Sequence, residues 1–263
     1  MAGFLPELRR LRRATSEGLF AAWCLGLFWL IAPVIWLAVV LAPRASWRWA
    51  WMRAAARFLA RATLTPVTVD GLQNLPANRP IVLVSNHASY LDGFVAVAAI
   101  PREFSFVAKA ELAEEFLDRV FLRRIATQFV ERFDWQKGVA DAIRIASAAK
   151  AGRSLFFFAE GTFTRVPGLL PFHMGAFLAA ADADVPVVPV AIRGTRSILL
   201  EETFFPRRGR ITVTIGEPIE SGAVRDPAAP DAWTTALKLR ALARDHILGY
   251  CGEPDLAGEP SPI

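Results

Sequence analysis

A histidine and an aspartate lie five residues apart in the segment NHASYLD (residues 86–92), which directly follows an apolar run at residues 81–85. In one continuous helix, residues five apart point about 140° away from each other, so the two side chains would not meet. They meet if His87 follows a strand and Asp92 lies in the first turn of the next helix, where a carboxylate faces free N–H groups. Asp92 would then fix the tautomer of His87 and stabilise its charged form. The spacing therefore predicts that His87 is a general base.

Two basic residues lie at the ends of predicted strands further along the chain. Lys109 follows the run at residues 104–108, and Arg132 ends the segment FVER at residues 129–132. The carboxyl ends of parallel strands form the edge where α/β proteins usually bind ligands. Arg132 offers a planar fork suited to a phosphate group, and Lys109 offers a compact positive charge. The pattern predicts an anion-binding pair, with two solvated surface charges as the alternative.

The segment FAEGTFTR (residues 158–165) runs from a hydrophobic strand into a polar turn that contains a glycine. Gly161 allows a ligand to approach the backbone closely. Glu160 is predicted to bind substrate hydroxyl groups or to anchor a basic neighbour, and Arg165 to add a contact to phosphate. The N–H groups of the turn, which includes Thr162, would stabilise an oxyanion. A plain strand-to-loop turn with a capping threonine is the alternative interpretation.

The pattern beyond residue 65 predicts an α/β domain with a mostly parallel, twisted sheet flanked by helices, because β-rich runs alternate with helical stretches. A fourth segment, VPVVPV at residues 185–190, contains two prolines, which a buried strand tolerates only at its start, at an edge or at a bulge. It is expected to shape a pocket wall. The predicted strands cover residues 67–69, 81–85, 104–108, 128–131, 155–158, 185–192 and 211–215. The predicted helices cover residues 93–99, 135–151, 172–182 and 233–248.

The first 64 residues differ from the rest and predict a hydrophobic, membrane-anchoring helical motif. Four arginines at positions 9, 10, 12 and 13 precede an uncharged run at residues 18–42, which is long enough to cross a bilayer and too long for a signal-peptide core. Pro33 is expected to bend this run. Arginines also follow it, so the positive-inside rule assigns no topology. Either the run spans the bilayer, or a bent pair of helices is embedded in one leaflet with residues 45–64 in the headgroup layer. The tryptophans at residues 45–64 would alternatively pack onto the domain.

The composition fits a membrane-associated chain with an anionic partner. Of 263 residues 54% are hydrophobic and the net charge is +5, with a mean hydropathy of +0.33 and a pI near 9.7. Cys24 and Cys251 lie far apart and match no metal-binding spacing, so neither a metal site nor a disulfide framework is predicted. The predicted division is an anchoring region at residues 1–64, an α/β domain at 65–250 and a disordered tail at 251–263.

The four segments, in this order over residues 81–190, resemble those of the glycerophospholipid acyltransferase family, which includes the 1-acylglycerol-3-phosphate acyltransferases. The resemblance implies that His87 is the base, that Asp92 is its partner and that Arg132 binds the acceptor phosphate. The Glu-Gly pair of that family falls on Glu160 and Gly161. The sequence departs from the usual pattern in two ways: alanine replaces the proline before Glu160, and Phe163-Thr164 replaces an Arg-Ser pair. The second departure puts the acceptor head group in question, although Arg165 is a partial substitute.

The resemblance implies transfer of a fatty acyl group from acyl-CoA or acyl-carrier protein to the hydroxyl of a lysophospholipid. The acceptor expected first is 1-acylglycerol-3-phosphate, which would give phosphatidic acid for phospholipid biosynthesis. Because a thioester is already activated, no cofactor and no metal are expected. The expected partners are the phospholipid bilayer, the lysophospholipid and the acyl carrier. The expected location is the cytoplasmic face of a membrane, the inner membrane in a bacterium.

Several other functions are considered. The acceptor is alternatively another lysolipid or alcohol, or the chain is a non-catalytic membrane protein that binds anionic lipids through its arginines. A serine hydrolase would need a Gly-x-Ser-x-Gly elbow, which the sequence lacks, and Ser89 has no evident base. A lipid A-type acyltransferase would not be expected to contain the Glu-Gly-Thr segment. Nucleic-acid binding is not expected, because the arginines concentrate beside a bilayer-length apolar run.

Overall fold

The computed structural model describes residues 4–131, 135–228 and 231–258 of the chain. They form one sheet with helices on both faces. All seven predicted strands are present, with ends shifted by at most two residues. The strands are β1 (Val67–Asp70), β2 (Val82–Ser85), β3 (Ser105–Lys109), β4 (Gln128–Val130), β5 (Leu155–Phe158), β6 (Val187–Arg193) and β7 (Ile211–Ile215). The helices are α1 (Phe4–Leu41), α2 (Ala45–Ala62), α3 (Asp92–Ala99), α4 (Phe116–Arg124), α5 (Trp135–Lys150), α6 (Gly175–Ala183), α7 (Thr195–Ile198), α8 (Ser221–Val224) and α9 (Ala232–Cys251).

The sheet is mostly parallel, as predicted, and its strand order is β1-β7-β6-β2-β5-β3-β4. The five strands from β6 to β4 run parallel to one another. Strand β7 lies antiparallel to β6, and β1 is parallel to β7. The carboxyl ends of the five parallel strands and the amino ends of β1 and β7 therefore share one side of the sheet, which we call the carboxyl edge.

Apolar side chains fill both faces of the central strands. In β2, Val82 and Val84 pack with α5, α6 and α9, whereas Leu83 faces α2 and α3. This alternation follows from the two-residue period of a strand. Because helices cover both faces, every residue of β2 is buried, as is typical of a central parallel strand. The sheet therefore holds the carboxyl edge of β2 in a fixed position.

Strand β6 contains the second proline of the fourth segment in its interior. Pro189 lies opposite Val84 of β2, while on the other side the pairing with β7 begins only at Val190. An isolated bridge joins Val187 to Ile219, and the partner strand has one residue more than β6 over this interval. Pro189 thus lies at a bulge, one of the three predicted places. Residues 185–190 are buried in the core. The expectation that this segment shapes a pocket wall stays a prediction.

The N-terminal helices α1 and α2 form a hairpin that shares the core of the domain. Val39, Trp49 and Met52 are buried in the same apolar cluster as β2 and α3. The hairpin turn is fixed by Arg48, whose guanidinium donates to the carbonyl groups of Ala42, Pro43 and Arg124. The predicted boundary at residue 64 therefore does not separate two independent units. Trp49 follows the alternative interpretation, in which the tryptophans pack onto the domain.

Helix α1 is long and apolar enough over Ala14–Leu41 to cross a membrane, by length and composition. The helix continues through Pro33, and the chain turns instead at residues 42–44, so the expected bend lies further along. Its side chains contact the domain at several levels. Phe28 packs on Phe94 of α3, and Trp36 donates to the carbonyl of Leu117 in α4. Helix α1 therefore lies along the domain instead of projecting away from it.

Residues 252–256, which follow α9, lie against the domain. Gly252 ends the helix in a left-handed conformation, and Asp255 forms a parallel bridge with Leu169. The Leu169 N–H donates to the Pro254 carbonyl at 2.8 Å. The expected disorder from residue 251 is thus wrong for residues 251–256, because their backbone groups have partners in the domain. Residues 259–263 lie outside the described range.

Candidate active site

The turn at residues 86–92, which we call the His87 turn, brings together the two predicted catalytic side chains. His87 follows β2, and Asp92 is the first residue of α3. The imidazole Nδ1 lies 2.9 Å from Oδ2 of Asp92, whose side chain is fully buried. The same Oδ2 accepts the backbone N–H groups of Ala88, at 2.6 Å, and Ser89, at 2.9 Å. Because Oδ2 already accepts two backbone N–H groups, the tautomer with the proton on Nδ1 adds a third bond to the same oxygen and leaves Nε2 as the nitrogen that can accept a proton from a substrate.

Aromatic rings contact the imidazole and limit the water around it. Phe158, the last residue of β5, stacks on His87 with ring centroids 4.1 Å apart and planes at 15°. Phe163 contacts the imidazole at 4.4 Å, and Tyr90 meets the Phe163 ring edge-on at 4.8 Å. The His87 side chain remains 18% exposed. The base is therefore partly desolvated but still accessible to a substrate.

Glu160 supports the His87 turn from the neighbouring strand. Its side chain is 1% exposed, Oε1 accepts the backbone N–H of His87 at 2.6 Å, and Oε2 accepts that of Leu170 at 2.7 Å. Burial raises the pKa of Glu160 to about 8, and the charge of Asp92 adds to this, against the two N–H donors and Arg196, which lower it. The predicted contact with substrate hydroxyl groups is wrong, because both oxygens are occupied and buried. Glu160 is a positioning residue.

The turn at residues 160–170, which we call the Glu160 turn, contains the other residues predicted in the third segment. Gly161 has a φ of +71°, which favours glycine, and its N–H donates to the carbonyl of Phe158 at 3.0 Å. That bond removes Gly161 from the predicted oxyanion donors. Thr162 is partly buried and Arg165 is exposed. The turn therefore places Phe163, rather than Glu160 or Gly161, against the base.

Two residues that are distant in the sequence hold the Glu160 turn. Arg196 of α7 donates from Nε to Glu253 Oε1 at 2.8 Å and from Nη1 to the carbonyl of Thr164. Glu253 Oε2 accepts the N–H of Gly168 at 2.8 Å. Both side chains of the ion pair are nearly buried, so solvent screens the pair only weakly. The C-terminal segment is thus part of the structure around the site.

The family of this chain follows from its relatives. The family model described as Acyltransferase matches residues 66–193. A lyso-ornithine lipid O-acyltransferase from Brucella abortus (strain 2308) is 31% identical over 230 residues, which cover 76% of this chain and 85% of that protein. This chain belongs to the acyltransferase family. The resemblance inferred from the four segments is therefore confirmed, and the site described above is the site of an acyltransferase-family protein.

Other relatives match a shorter part of this chain. The chloroplastic 1-acyl-sn-glycerol-3-phosphate acyltransferase BAT2 of Brassica napus is 33% identical over 153 residues, which cover 57% of this chain and 44% of that protein. The 1-acyl-sn-glycerol-3-phosphate acyltransferase of Saccharomyces cerevisiae is 30% identical, with 59% and 52% covered. The chain thus spans about half the length of these curated relatives.

A crystal structure confirms the fold of this chain. The 1-acyl-sn-glycerophosphate acyltransferase PlsC from Thermotoga maritima superposes with a TM-score of 0.67 and 18% sequence identity, over 90% of this chain and 97% of that chain. At this identity the likeness concerns the fold alone. The predicted α/β class with flanking helices and an apolar N-terminal helix is therefore confirmed.

Of the two predicted basic residues, Lys109 lies further along the carboxyl edge. Lys109 is exposed at the end of β3, two strands from β2, which corresponds to roughly 10 Å across the sheet. Arg132 lies outside the described residues. The chain just before it is anchored, because the N–H of Glu131 donates to Oδ2 of Asp141 at 2.8 Å and Arg144 donates to the carbonyl of Phe129. Lys109 is therefore near enough to the His87 turn to contact a different part of one large substrate.

An apolar cavity of about 300 Å³ lies beside the His87 turn. Helices α1, α2 and α3 form most of its wall, and the connection after α7 closes it. Tyr90 and Leu91, which belong to the His87 turn, line the cavity together with Phe20 and Phe28 of α1. Because Tyr90 also contacts Phe163, aromatic side chains connect the cavity with the base. The cavity is suited to an aliphatic chain.

Sequence reasoning missed several residues that hold the site. Asn86 bonds both the N–H and the carbonyl of Ile192 in β6, each at 2.8 Å. Arg196 and Glu253 lie outside every segment that had been singled out, and helix α4 was not predicted. For Asn86, the one signal in the sequence was an amide side chain directly after a predicted strand. Ser89, considered as a nucleophile, is buried and donates to the Leu199 carbonyl, so it is not free to act in that role.

Proposed function

We propose that this acyltransferase-family chain transfers a fatty acyl group from a thioester to the hydroxyl group of a lysolipid. The observation that supports it most is the His87–Asp92 pair, with one imidazole nitrogen held by a buried carboxylate. Nε2 removes the proton of the acceptor hydroxyl as its oxygen attacks the thioester carbonyl carbon. Asp92 stabilises the imidazolium ion that forms. When the tetrahedral intermediate breaks the C–S bond, the imidazolium returns the proton to the departing sulfur, which leaves an ester and a free thiol.

The apolar cavity supports an acyl chain as part of the substrate. Tyr90 and Leu91 of the His87 turn line the cavity, so an acyl chain that fills it would lie beside the base. Apolar walls favour burial of methylene groups at roughly 0.8 kcal/mol each. A carrier attached through the thioester would remain outside. The donor is either acyl-CoA or acyl-carrier protein, and both present the same reacting group.

For the acceptor we propose 1-acylglycerol-3-phosphate first, since several relatives are named for it. Lys109, Arg132 and Arg165 are the basic residues proposed to bind its phosphate. A second candidate is the hydroxyl of a lyso-ornithine lipid. It is favoured because the chain spans 85% of a relative named for that reaction, and because Phe163, at the position where the family usually has arginine, contacts the base.

One assay tests the reaction and separates the two acceptors. Purified full-length protein is supplied with long-chain acyl-CoA or acyl-carrier protein and either 1-acylglycerol-3-phosphate or lyso-ornithine lipid, and the lipid products are separated. Acylation of either acceptor supports the proposal, and the preferred one identifies the acceptor. No product from either acceptor, together with no exchange of acyl groups to other lysolipids, contradicts it. The Phe163→Arg variant is expected to shift preference toward the phosphorylated acceptor.

We also propose that the protein associates with the cytoplasmic face of a membrane. Both the acyl donor chain and the product partition into lipid, and α1 has the length and composition to enter a bilayer. Because α1 contacts α3 through Phe28 and α4 through Trp36, the arrangement in which the helical hairpin is embedded in one leaflet is favoured over an isolated span. Membrane flotation of the full-length protein, with and without an alkaline carbonate wash, tests this association.

A further inference from the structure

Two phenylalanine rings enclose the imidazole of His87. Phe158 stacks on it with ring planes at 15°, so this ring covers one face of the imidazole. Phe163 is tilted by 59°, and its centroid lies 4.4 Å from that of the imidazole. Two phenyl rings at these distances do not fit on one face of an imidazole, so Phe163 covers another side. The exposed part of the His87 side chain is what these two rings leave uncovered.

The ring of Phe158 is fixed by the sheet. It belongs to the last residue of β5, and it contacts the rings of Phe156 and Phe106 with centroids 5.2 and 6.4 Å away. Phe156 is fully buried in the apolar core. Because a protein core is close-packed, Phe158 cannot leave the imidazole without displacing these neighbours. This side of the base is therefore closed by the fold itself.

Phe163 is held differently, because it lies on the Glu160 turn and outside the core. Its ring meets the ring of Tyr90 edge-on, with planes at 87°. The next residue, Thr164, is held through its carbonyl group, which accepts a hydrogen bond from Arg196. One ring contact and one backbone contact thus keep Phe163 against the base. A substitution at this position opens one side of the imidazole without removing a core side chain.

Water is the competitor of a lipid hydroxyl group in thioester chemistry. Nε2 of His87 can accept a proton from water as well as from an alcohol, and water is far more concentrated than any lipid. When a water oxygen attacks the thioester carbonyl carbon, the C–S bond breaks and a fatty acid and a free thiol are formed. The activated acyl group is then lost. An active site that excludes water prevents this side reaction.

The polarity of the two rings favours a lipid over water beside the base. A lysolipid brings its hydroxyl group together with methylene groups, which are removed from water when they contact a phenyl ring. A water molecule in the same place loses hydrogen bonds that the ring cannot replace. Phe163 stands where the family usually has arginine, so the closure on this side belongs to this chain's own sequence.

We propose that Phe163 is a specificity-determining residue that excludes water from His87, so that the acyl group is transferred to a lipid hydroxyl instead of being hydrolysed. This inference rests on the acyl transfer proposed above and assigns the choice between water and lipid to one side chain. Tyr90 is the positioning residue, because its ring holds that of Phe163. Opening this side of the base is expected to turn part of the transferase activity into thioester hydrolase activity.

The partition of labelled acyl groups between ester and fatty acid tests the inference. Full-length protein is supplied with labelled long-chain acyl-CoA or acyl-carrier protein and with 1-acylglycerol-3-phosphate or lyso-ornithine lipid. Phe163→Ala, and Phe163→Gln as a second variant that leaves a smaller gap, are expected to raise the ratio of fatty acid to ester by about tenfold. Phe163→Leu keeps an apolar cover and should stay near the wild-type ratio. Tyr250→Ala is the matched control, because it removes an exposed ring from another imidazole, that of His246.

The ratio separates water exclusion from a structural effect of the ring. If both products fall equally in the Ala and Gln variants, the ring has a structural role alone and the inference is overturned. A wild-type protein that forms as much fatty acid as ester would overturn it too, although the thioester chemistry would stand. If neither the wild type nor any variant forms ester or fatty acid, the proposed acyl transfer fails and this inference fails with it.

Chemical modification of the imidazole measures the closure without turnover. Diethyl pyrocarbonate is added to each protein in the absence of substrate, and the modified histidines are followed by peptide mass spectrometry. His87 is expected to react about tenfold faster in Phe163→Ala than in the wild type, whereas the exposed His173 should react equally in both. Tyr90→Ala should give a smaller increase, because the ring of Phe163 is still present. Equal rates for His87 in the wild type and in Phe163→Ala would overturn the inference.

Discussion

The His87 turn and the Glu160 turn lie side by side at the carboxyl edge but are stabilised in opposite ways. The His87 turn is closed by its own carboxylate, since Asp92 binds three donors between residues 87 and 89. The Glu160 turn is held by Arg196 and Glu253, which come from other parts of the chain. The two turns are joined by Glu160, which accepts the backbone N–H of His87. A catalytic pair thus forms locally, whereas the surface that positions it is assembled over long range.

The largest effect is expected from removal of the base. His87→Ala leaves no group to accept the hydroxyl proton, so kcat should fall by about a thousandfold or more, while the melting temperature changes little. Steady-state assays at saturating donor check this. His173→Gln is the matched control, because this exposed histidine follows the Glu160 turn and no catalytic role is assigned to it. Wild-type turnover of His87→Ala would exclude it as the base.

Asp92→Asn tests the local closure of the His87 turn. A neutral amide stabilises the imidazolium ion less than a carboxylate does. If its NH₂ group replaces Oδ2, it cannot accept the N–H groups of Ala88 and Ser89. The kcat should fall by about a hundredfold or more, with KM for the donor nearly unchanged. Chemical unfolding should show a loss of about 1–3 kcal/mol from the broken hydrogen bonds. A variant that loses stability without losing kcat would assign Asp92 a structural role alone.

Glu253→Gln tests the long-range support of the Glu160 turn. It weakens the bonds to Arg196 and Gly168, so the turn that places Phe163 against His87 should loosen and kcat should fall by about tenfold. Hydrogen exchange of residues 161–170 should speed up. The control is Glu220→Gln, which removes an exposed ion pair with Arg79 at the opposite edge and should change neither quantity. Unchanged exchange in Glu253→Gln would show that the C-terminal segment does not hold the turn.

The pH dependence of stability tests the burial of Glu160, which joins the two turns. The pKa of Glu160 is about 8 in the folded chain against an ordinary 4.5, so the folded state binds its proton more tightly. The stabilisation is therefore complete below pH 4.5 and is lost as the pH rises toward 8, by on the order of a few kcal/mol. Glu160→Gln should lack this part of the slope in chemical unfolding, whereas Glu220→Gln should keep it. Identical slopes would place the titration elsewhere.

The same contrast explains how far the sequence predicts the structure. The strands and the His87–Asp92 contact follow from local pattern, because strand period and helix N-terminal chemistry act within a few residues. The role of Glu160 did not follow, since its burial depends on Leu170 and on the neighbouring strand. Arg196 and Glu253 are 57 residues apart and carry no local signal. Helix α4 has nine residues, none of them buried, which is shorter than the window in which a helical apolar period is recognised.

Asn86 has a consequence for the geometry of the base. Strand β2 pairs with β6 as far as Ser85 and Val190, and beyond this point the Asn86 side chain binds both polar groups of Ile192. The carboxamide thereby substitutes for one peptide unit of the ladder. The main chain is released from β6 one residue early, and the N–H of His87 can turn to Glu160 on the other side. The side chain of Asn86 thus takes the place of a backbone partner for β6 and allows β2 to end directly before the catalytic histidine.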